Sequence, residues 1–450
     1  MTADRRWVRE RIEQFGRQRA LVADGRTSTF EDIAASVDAW STQLSATDVT
    51  GRVIAVNGDC SEATVGALLS CYLRGGIIVP LYLARPERLA DVIALTGAER
   101  LVDTARSEVT SFAPPRESHP LVGRLIASDE AGLVLLSSGS TGLPKAMLLG
   151  LDRLFERHRL RTRFSPMVTA AFLLFDHIGG FNTVMHSLLT GGTLVTLPSR
   201  DPLDVCRAIE RYRVELLPAT PTFLNMLLIS GAHQRCDLSS LKMVTYGTEV
   251  MPPSTLAALV AALPHVTFKQ TYGLSEVGIL ATKSKASDSV WMKLGAEVGV
   301  KVVDGMLWVR ASTAMLGYLN APSPFDEDGW LCTGDVVDVD GDYIRVHGRR
   351  EEIINVGGLK VFPAEVEDQL LRAPCVNDAV VWGKPNAVTG FIVAASIAKA
   401  PGVDAASAKR EILEHCRRHM DEFKVPRFIE FVDGQLHTER FKKARVERRG

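Results

Sequence analysis

The chain has 450 residues, 46% of them hydrophobic and 23% charged, which is too long for one compact core and suits one large domain with a smaller one. Its 52 Lys and Arg nearly cancel its 53 Asp and Glu, which leaves no whole-protein field to draw in nucleic acid or an anionic membrane. The seven cysteines are scattered and never spaced Cys-x-x-Cys, against a disulfide framework or structural zinc. No stretch reaches the roughly 18 apolar residues of a membrane span, so the expectation is an untargeted, soluble, cytoplasmic protein.

From Val53 to Ser275, short β-rich apolar runs alternate with helical patterns between Gly, Pro, Asp and Ser, the texture of a parallel-sheet α/β domain. The predicted strands are Val53–Val56, Ile77–Pro80, Leu133–Leu136, Ala171–Phe175, Thr193–Leu197, Glu215–Leu217, Met243–Tyr246 and Thr267–Gln270. Between them fall predicted helices at Glu62–Leu73, Phe181–Leu189, Leu203–Tyr212, Thr222–Ile229 and Ser254–Leu263. After Gly278 shorter runs with frequent Gly, at Val300–Val303, Met306–Val309 and Tyr343–Val346, predict a β-rich subdomain that completes the large domain. A charged knot, Gly348-Arg349-Arg350-Glu351-Glu352, then leads into a smaller α+β pattern: Val361–Leu371, Ala379–Trp382, Phe391–Ile397, Ala408–His419 and Phe428–Val432. The expected division is therefore residues 1–349 and 350–450.

The string with the most chemistry is Ser137-Ser138-Gly139-Ser140-Thr141-Gly142-Leu143-Pro144-Lys145, a hydroxyl- and glycine-rich loop leaving an apolar strand. Such a loop can aim backbone N–H groups and hydroxyls at phosphate oxygens, with Gly permitting tight curvature. It lacks the Gly-x-x-x-x-Gly-Lys spacing of a Walker loop, and Pro144 precedes the lysine, so a P-loop nucleotidase or kinase is excluded on spacing. Five further segments follow in order. They are Phe175-Asp176-His177-Ile178-Gly179-Gly180; Gly247-Thr248-Glu249 after the strand ending at Tyr246; Gln270-Thr271-Tyr272-Gly273-Leu274-Ser275-Glu276; Asp328 to Asp335; and the paired glycines of Gly357-Gly358-Leu359-Lys360-Val361. A last one is Thr438-Glu439-Arg440-Phe441-Lys442-Lys443-Ala444-Arg445. A flat ring can stack on a base, a hard cation takes one or two carboxylates plus phosphate oxygens, and a carboxylate's two oxygens can accept from two hydroxyls. Taken singly, these segments also read as a surface turn, a structural histidine, a solvated charge run and a plain hairpin turn.

Together and in this order they resemble the signatures of the adenylate-forming superfamily: acyl- and aryl-CoA synthetases, adenylation domains of nonribosomal peptide synthetases, and luciferase. The likeness is to their stand-alone acyl and aryl acid ligases most of all. The resemblance implies an α/β fold with a large N-terminal domain of parallel-type sheets, a β-rich subdomain, and a small mobile C-terminal α+β domain. It implies ATP, Mg2+ and coenzyme A, or the phosphopantetheine of a carrier protein, as cofactors. Ser137, Ser138, Gly139, Ser140, Thr141, Gly142 and Lys145 would hold the phosphates, Gly247, Thr248, Glu249, Thr271, Tyr272 and Gly273 the adenine side, and Ser275 the α-phosphate. Glu276 would bind the metal, Asp335 the ribose hydroxyls and Arg349 the ribose and phosphate, while Gly357 and Gly358 line the pantetheine tunnel. His177 would be the gate of the acid pocket, with Ile178, Gly179, Tyr246 and Gly273 around it; Glu351 is the hinge and Lys442 the adenylation lysine.

The sequence departs from the family pattern in three places: Ala146 and Phe441 stand where glycine is usual, and Leu436 where proline is. The implied reaction joins a carboxylic acid to AMP with release of pyrophosphate and then transfers the acyl group to a thiol. Amino-acid-activating relatives carry an aspartate after the gate; here that place is Ile178, which cannot compensate a buried ammonium, so a fatty, aryl or similar non-α-amino acid is expected. Coenzyme A is the expected acceptor. A stand-alone carrier protein, an amino acid substrate and an inactive nucleotide-binding relative remain as alternatives. The histidine pair His415 and His419 reads as a solvated helix face, since no third ligand accompanies it.

Overall fold

Strand Val53–Gly58 is buried at every position, as a strand covered on both faces must be, and it pairs in parallel with Ile77–Tyr82 and with Arg100–Asp103. The computed structural model describes residues 4–45, 48–115, 117–137, 144–434, 436–438 and 441–444. The chain forms two compact units. One comprises Met1–Pro218, Gly273–Leu280 and Arg310–Asp326, and the other Ala219–Tyr272, Ala281–Val309 and Glu327–Gly450.

In the first unit the Val53 sheet extends from Ile77–Tyr82 to Gly132–Leu136 in parallel, and then to Ala146–Gly150 in antiparallel register. The reversal at this edge creates the hairpin whose loop is the Ser137–Lys145 string, and the Ser137 N–H closes its base on the Lys145 carbonyl at 3.0 Å. Helix Glu62–Leu73 crosses between the first two strands, with Ser61 accepting from the Thr64 N–H as its N-cap. A second parallel ladder joins Arg19–Ala23, Thr193–Val195 and Val168–Ala170.

Here one expectation is corrected. The strand predicted at Ala171–Phe175 lies at Val168–Ala170 instead. The apolar run beyond it is buried by side-chain packing, with no ladder, and turns where the His177 N–H reaches the Leu174 carbonyl at 3.2 Å. Helix Ile178–Leu189 therefore starts before the predicted Phe181 and contains Gly179 and Gly180. A Cβ at Gly180 would sit 2.0 Å from the Leu174 carbonyl oxygen, so a residue that reads as a helix breaker is what lets the helix pack on that turn.

The second unit holds the parallel pair Met243–Tyr246 and Thr267–Gln270. An antiparallel sheet of Thr282–Ser284, Met292–Leu294, Tyr343–Arg349, Leu331–Asp340, Met306–Arg310 and Gly299–Val303 confirms the β-rich stretch. Residues 354–431 build a core of their own from Ile354, Val361, Val366, Leu370, Val381, Val393, Ile397, Ile412 and their neighbours. Helix Pro363–Leu371 lies against the hairpin Val376–Asn386 and Gly390–Lys399, and buried Glu367 accepts from the Val381 N–H at 2.9 Å. The seven cysteines are free thiols. Among the described residues no helix is long and apolar enough to cross a membrane.

Helix Leu151–Arg159 buries His158 between Phe155 and His186. Burial, and then the charge of Arg157, pushes its imidazole down to about 3 from 6.5. Because the folded pKa lies below the unfolded one, this stabilising contribution is whole above pH 6.5 and is lost as pH falls toward 3. Thermal unfolding midpoints measured from pH 7.5 to 5 should fall for the wild type, at about 1.4 kcal/mol per pH unit below the unfolded pKa, and should fall less in His158→Phe.

Candidate functional site

The second unit brings three of the separated motifs together on one carboxylate. Asp335 is only 6% exposed; its Oδ2 accepts from the Tyr272 hydroxyl at 2.5 Å and its Oδ1 from the Arg349 Nε at 2.8 Å. Asp335 and Arg349 face one another because Leu331–Asp340 and Tyr343–Arg349 are antiparallel neighbours in a register that pairs these two residues. Arg349 also donates to the Thr333 carbonyl at 2.6 Å, and the Thr333 hydroxyl accepts from the Asp335 N–H at 3.0 Å. Burial first, and then the Asp335 charge, push the Tyr272 phenol well above its usual range, so it stays a donor.

Beside this cluster the carbonyl of buried Tyr246 accepts from both the N–H and the hydroxyl of Thr271, at 2.7 and 3.0 Å. That approach leaves no room for a side chain on Gly247, whose Cβ would lie 2.6 Å from the Thr271 hydroxyl. Thr248 follows with φ +71°, a conformation that costs a β-branched residue about 1–3 kcal/mol and is kept only where the surroundings demand it. The Glu249 carboxylate takes the Thr222 hydroxyl at 2.7 Å and the Lys443 N–H at 2.6 Å. A cavity of about 450 Å³ in this unit is lined by Gln270, Val336, Val346, Phe362, Glu365 and Asp368, on the face of strand Leu331–Asp340 opposite Asp335. The Gln270 side-chain oxygen is buried without a hydrogen-bond partner.

Gly357 and Gly358 form the tip of the hairpin between Ile354–Val356 and Leu359–Val361, with φ of +59° and +91°. Two positive φ values in a two-residue loop are what a tight hairpin turn needs, and the Gly358 N–H donates to Asn355 Oδ1 at 2.8 Å. The tip is exposed, as is Glu351 in the short turn Arg350–Glu352. Lys442 is exposed as well.

In the first unit the Lys145 ammonium lies over the Tyr318 ring, 5.1 Å from its centroid, and the Tyr318 hydroxyl donates to Glu276 Oε1 at 2.7 Å. Asn320 pins the loop's end: its amide donates to the Pro144 carbonyl and its oxygen accepts from the Ala146 N–H, both at 2.9 Å. Ala146 is thus an ordinary buried strand residue. Ser275 sits half-buried before Glu276, whose carbonyl accepts from the Met315 N–H, and a Cβ on Gly273 would meet Ile279 at 2.6 Å. Ser138, Gly139, Ser140, Thr141 and Gly142 lie outside the described residues.

The motif Gln270–Glu276 is shared between the units, Tyr272 belonging to one and Glu276 to the other. His177 precedes helix Ile178–Leu189, and its Nε2 lies 3.9 Å from Asp176. Buried Asp176 also faces Arg88 at 3.6 Å, while Ile178 is buried and Gly179 abuts Leu173. Tyr318, Asn320 and Thr222 hold the expected residues without having been marked in the sequence; only their spacing from the motifs distinguishes them from ordinary polar residues. His415 and His419 lie ring to ring on helix Ala405–His419, and no group of three metal-ligating side chains occurs among the described residues.

An α/β fold carrying these motifs in this order defines an adenylate-forming protein. Residues 8–319 match the AMP-binding enzyme family and residues 365–442 the AMP-binding enzyme C-terminal domain; the chain belongs to that family. It is 31% identical over 330 residues to an octahydroindenyl-propanoyl:CoA ligase of Mycobacterium tuberculosis, a match that takes in 68% of this chain and 64% of the relative, less than two thirds of its length. A feruloyl-CoA synthase of an Amycolatopsis species is 28% identical over 95% of this chain and 94% of its own. Among solved structures an anthranilate CoA ligase in complex with anthranoyl-AMP superposes with a TM-score of 0.80 at 21% identity, over 97% of this chain and 95% of that one, which shows the shared fold.

Tyr272→Phe removes the hydroxyl from the buried carboxylate and leaves Arg349 as its partner. Denaturant unfolding should show a loss of about 2 kcal/mol at unchanged slope.

Proposed function

We propose that this chain is an AMP-forming acid–thiol ligase: it joins a carboxylic acid to AMP at the expense of ATP and then passes the acyl group to coenzyme A. The observation that carries this is Asp335. A carboxylate buried against a phenol and a guanidinium, on an interior strand reached by three separate motifs, is held in one orientation, with oxygens suited to the two hydroxyls of a ribose. Lys145 and Ser137 would face the phosphates, and Arg349 the ribose and α-phosphate.

In the first step the acid's oxygen attacks the α-phosphorus, the bond to pyrophosphate breaks, and an acyl-adenylate forms. Lys442 would neutralise charge that develops on carboxylate and phosphate. In the second step the thiol sulfur attacks the acyl carbon and AMP leaves, the adenylate having replaced an oxide leaving group by a stable one. Glu276 suits magnesium: one carboxylate, oriented through Oε1 by Tyr318, is the donor set the ion takes when nucleotide phosphates supply the rest. Bound there, the ion would neutralise phosphate charge.

The exposed Gly357–Gly358 tip would contact the pantetheine arm after residues 350–450 turn about Glu351. The separate core of residues 354–431 supports treating that part as a domain with its boundary between 349 and 350. As for the acid, Ile178 offers no charge to an α-ammonium, and Asp176 already faces Arg88 and His177. An aryl or other non-α-amino acid follows, in keeping with the named activities of the feruloyl-CoA synthase and propanoyl:CoA ligase relatives.

Pyrophosphate release measured with ferulate, benzoate, a fatty acid and an amino acid, with and without coenzyme A, tests this. A non-amino acid should trigger release, and the thiol should yield the thioester. Silence with every acid would sink the proposal. Lys442→Ala should lower acid-dependent ATP–pyrophosphate exchange by about 100-fold or more yet leave thiol transfer from supplied acyl-adenylate nearly intact.

A further inference from the structure

The segment that carries Lys442 is a small hairpin. His437 and Lys443 form an antiparallel bridge, the Thr438 N–H donates to the Lys442 carbonyl at 2.8 Å, and the Ala444 N–H donates to the Leu436 carbonyl at 3.0 Å. Leu436 and Ala444 are buried beneath it. Phe441 turns the chain with φ +53°, and its ring stacks on His437 at 4.9 Å and meets the Phe223 ring edge-on at 5.7 Å.

Two sets of groups grip this hairpin. From residues 219–249, the Thr220 hydroxyl donates to the Phe441 carbonyl at 2.8 Å, and Glu249 Oε1 accepts the Lys443 N–H at 2.6 Å. The other Glu249 oxygen is fixed by the Thr222 hydroxyl, so the carboxylate cannot swing away without losing both partners. From the small C-terminal core, Asp378 and the Ala379 carbonyl take the Lys443 ammonium, the latter at 2.9 Å. Both side chains of the ion pair are nearly buried, 9% and 11% exposed. An ammonium buried at that depth is tolerated only when paired.

Neighbouring residues of an extended segment point to opposite sides. Seating Lys443 inward on Asp378 therefore turns Lys442 outward, and it is exposed. Of two adjacent lysines one serves as an anchor, which leaves the other its direction.

We propose that Thr220, Glu249 and the Lys443–Asp378 pair form a clasp that positions Lys442 for the adenylation half-reaction, with Glu249 a positioning residue acting on the hairpin backbone. The inference rests on the ligase assignment and adds to it the groups that hold the adenylating arrangement closed. Lys443 fastens the hairpin to the small C-terminal core, while Thr220 fastens it to the start of helix Pro221–Ser230 and Glu249 to the turn after strand Met243–Tyr246. Opening the arrangement for thiol transfer breaks the Thr220 and Glu249 contacts alone.

The test uses Thr220→Asp in the full chain. Thr220 also caps helix Pro221–Ser230 by accepting from the Phe223 N–H, and aspartate caps at least as well, but a carboxylate cannot donate to the Phe441 carbonyl and repels it. The double variant K443M/D378N removes the anchor without stranding a buried charge. Hydrogen exchange with Mg·ATP present should speed up about tenfold or more across residues 436–444 in both variants, with residues 363–371 unchanged. With an acid that the wild type activates, the Thr220→Asp variant should lose about tenfold or more in kcat for pyrophosphate exchange. KM for the acid and thiol transfer from supplied acyl-adenylate should each stay within about twofold. Hairpin exchange left unchanged by both variants, or equal loss in both half-reactions, would overturn the clasp. Absence of pyrophosphate exchange by the wild type with every acid would instead overturn the ligase assignment beneath it.

Discussion

The buried carboxylate of Asp335 constrains more of this molecule than any other group. A charge so far removed from water must be matched by donors close at hand, and each donor is supplied by a different stretch of chain: Tyr272 at the end of one motif, Arg349 at the end of a neighbouring strand. The pairing register of Leu331–Asp340 with Tyr343–Arg349 follows from that demand as much as it provides for it. A one-residue slip would move Arg349 to the opposite face and leave the carboxylate with the phenol alone. Thr333 ties the same strand to the Leu307 carbonyl through its hydroxyl and to the guanidinium through its own carbonyl, so the cluster is braced by backbone.

Around this fixed point the second unit accumulates local cost. Thr248 and Phe441 both hold positive φ, where a β-branched and an aromatic side chain are each disfavoured, and both stand beside contacts of Glu249. Phe441 replaces the glycine that its conformation would suit best. It recovers part of that cost through Phe223 and His437, whose rings a glycine could not touch. A glycine hairpin is free to reorder; this one is stiffened by an aromatic plug and a buried ion pair. Stiffness favours positioning, and it slows whatever step requires the hairpin to leave.

Most of the architecture was legible in the sequence because the governing signals are local. Alternation of apolar runs and helical patterns located strands such as Val53–Gly58 and helices such as Glu62–Leu73, and the change of texture after Gly278 marked the β-rich sheet, but helices Pro86–Thr96, Pro120–Ala127 and Leu151–Arg159 and strands Arg100–Asp103 and Ala146–Gly150 went unmarked. The misplaced strand at Ala171–Phe175 shows the limit: an apolar run buried by packing looks the same as one buried in a ladder, and only the turn at Leu174 tells them apart. Gly179 and Gly180 misled for a related reason, since they read as breakers and act as spacers inside a helix. In the site, motif residues such as Tyr272, Asp335 and Lys145 could be marked because the family pattern repeats them. Tyr318, Asn320 and Thr220 could not, because what they do depends on a partner far away in sequence that only the folded chain brings near.

Charge placement near His177 shows how a neighbouring residue that matches a motif by type can differ in its surroundings. Asp176 is an aspartate adjacent to His177, and by type alone it could answer a substrate ammonium. Its surroundings differ from an open acceptor's: it is buried, it faces the Arg88 guanidinium, and its second near neighbour is the imidazole itself. A carboxylate already neutralised by a resident cation has little attraction left for another, and bringing an ammonium to it would set that ammonium beside Arg88. The residue that follows His177 is aliphatic and buried, so the charges of this corner are already matched among its own side chains.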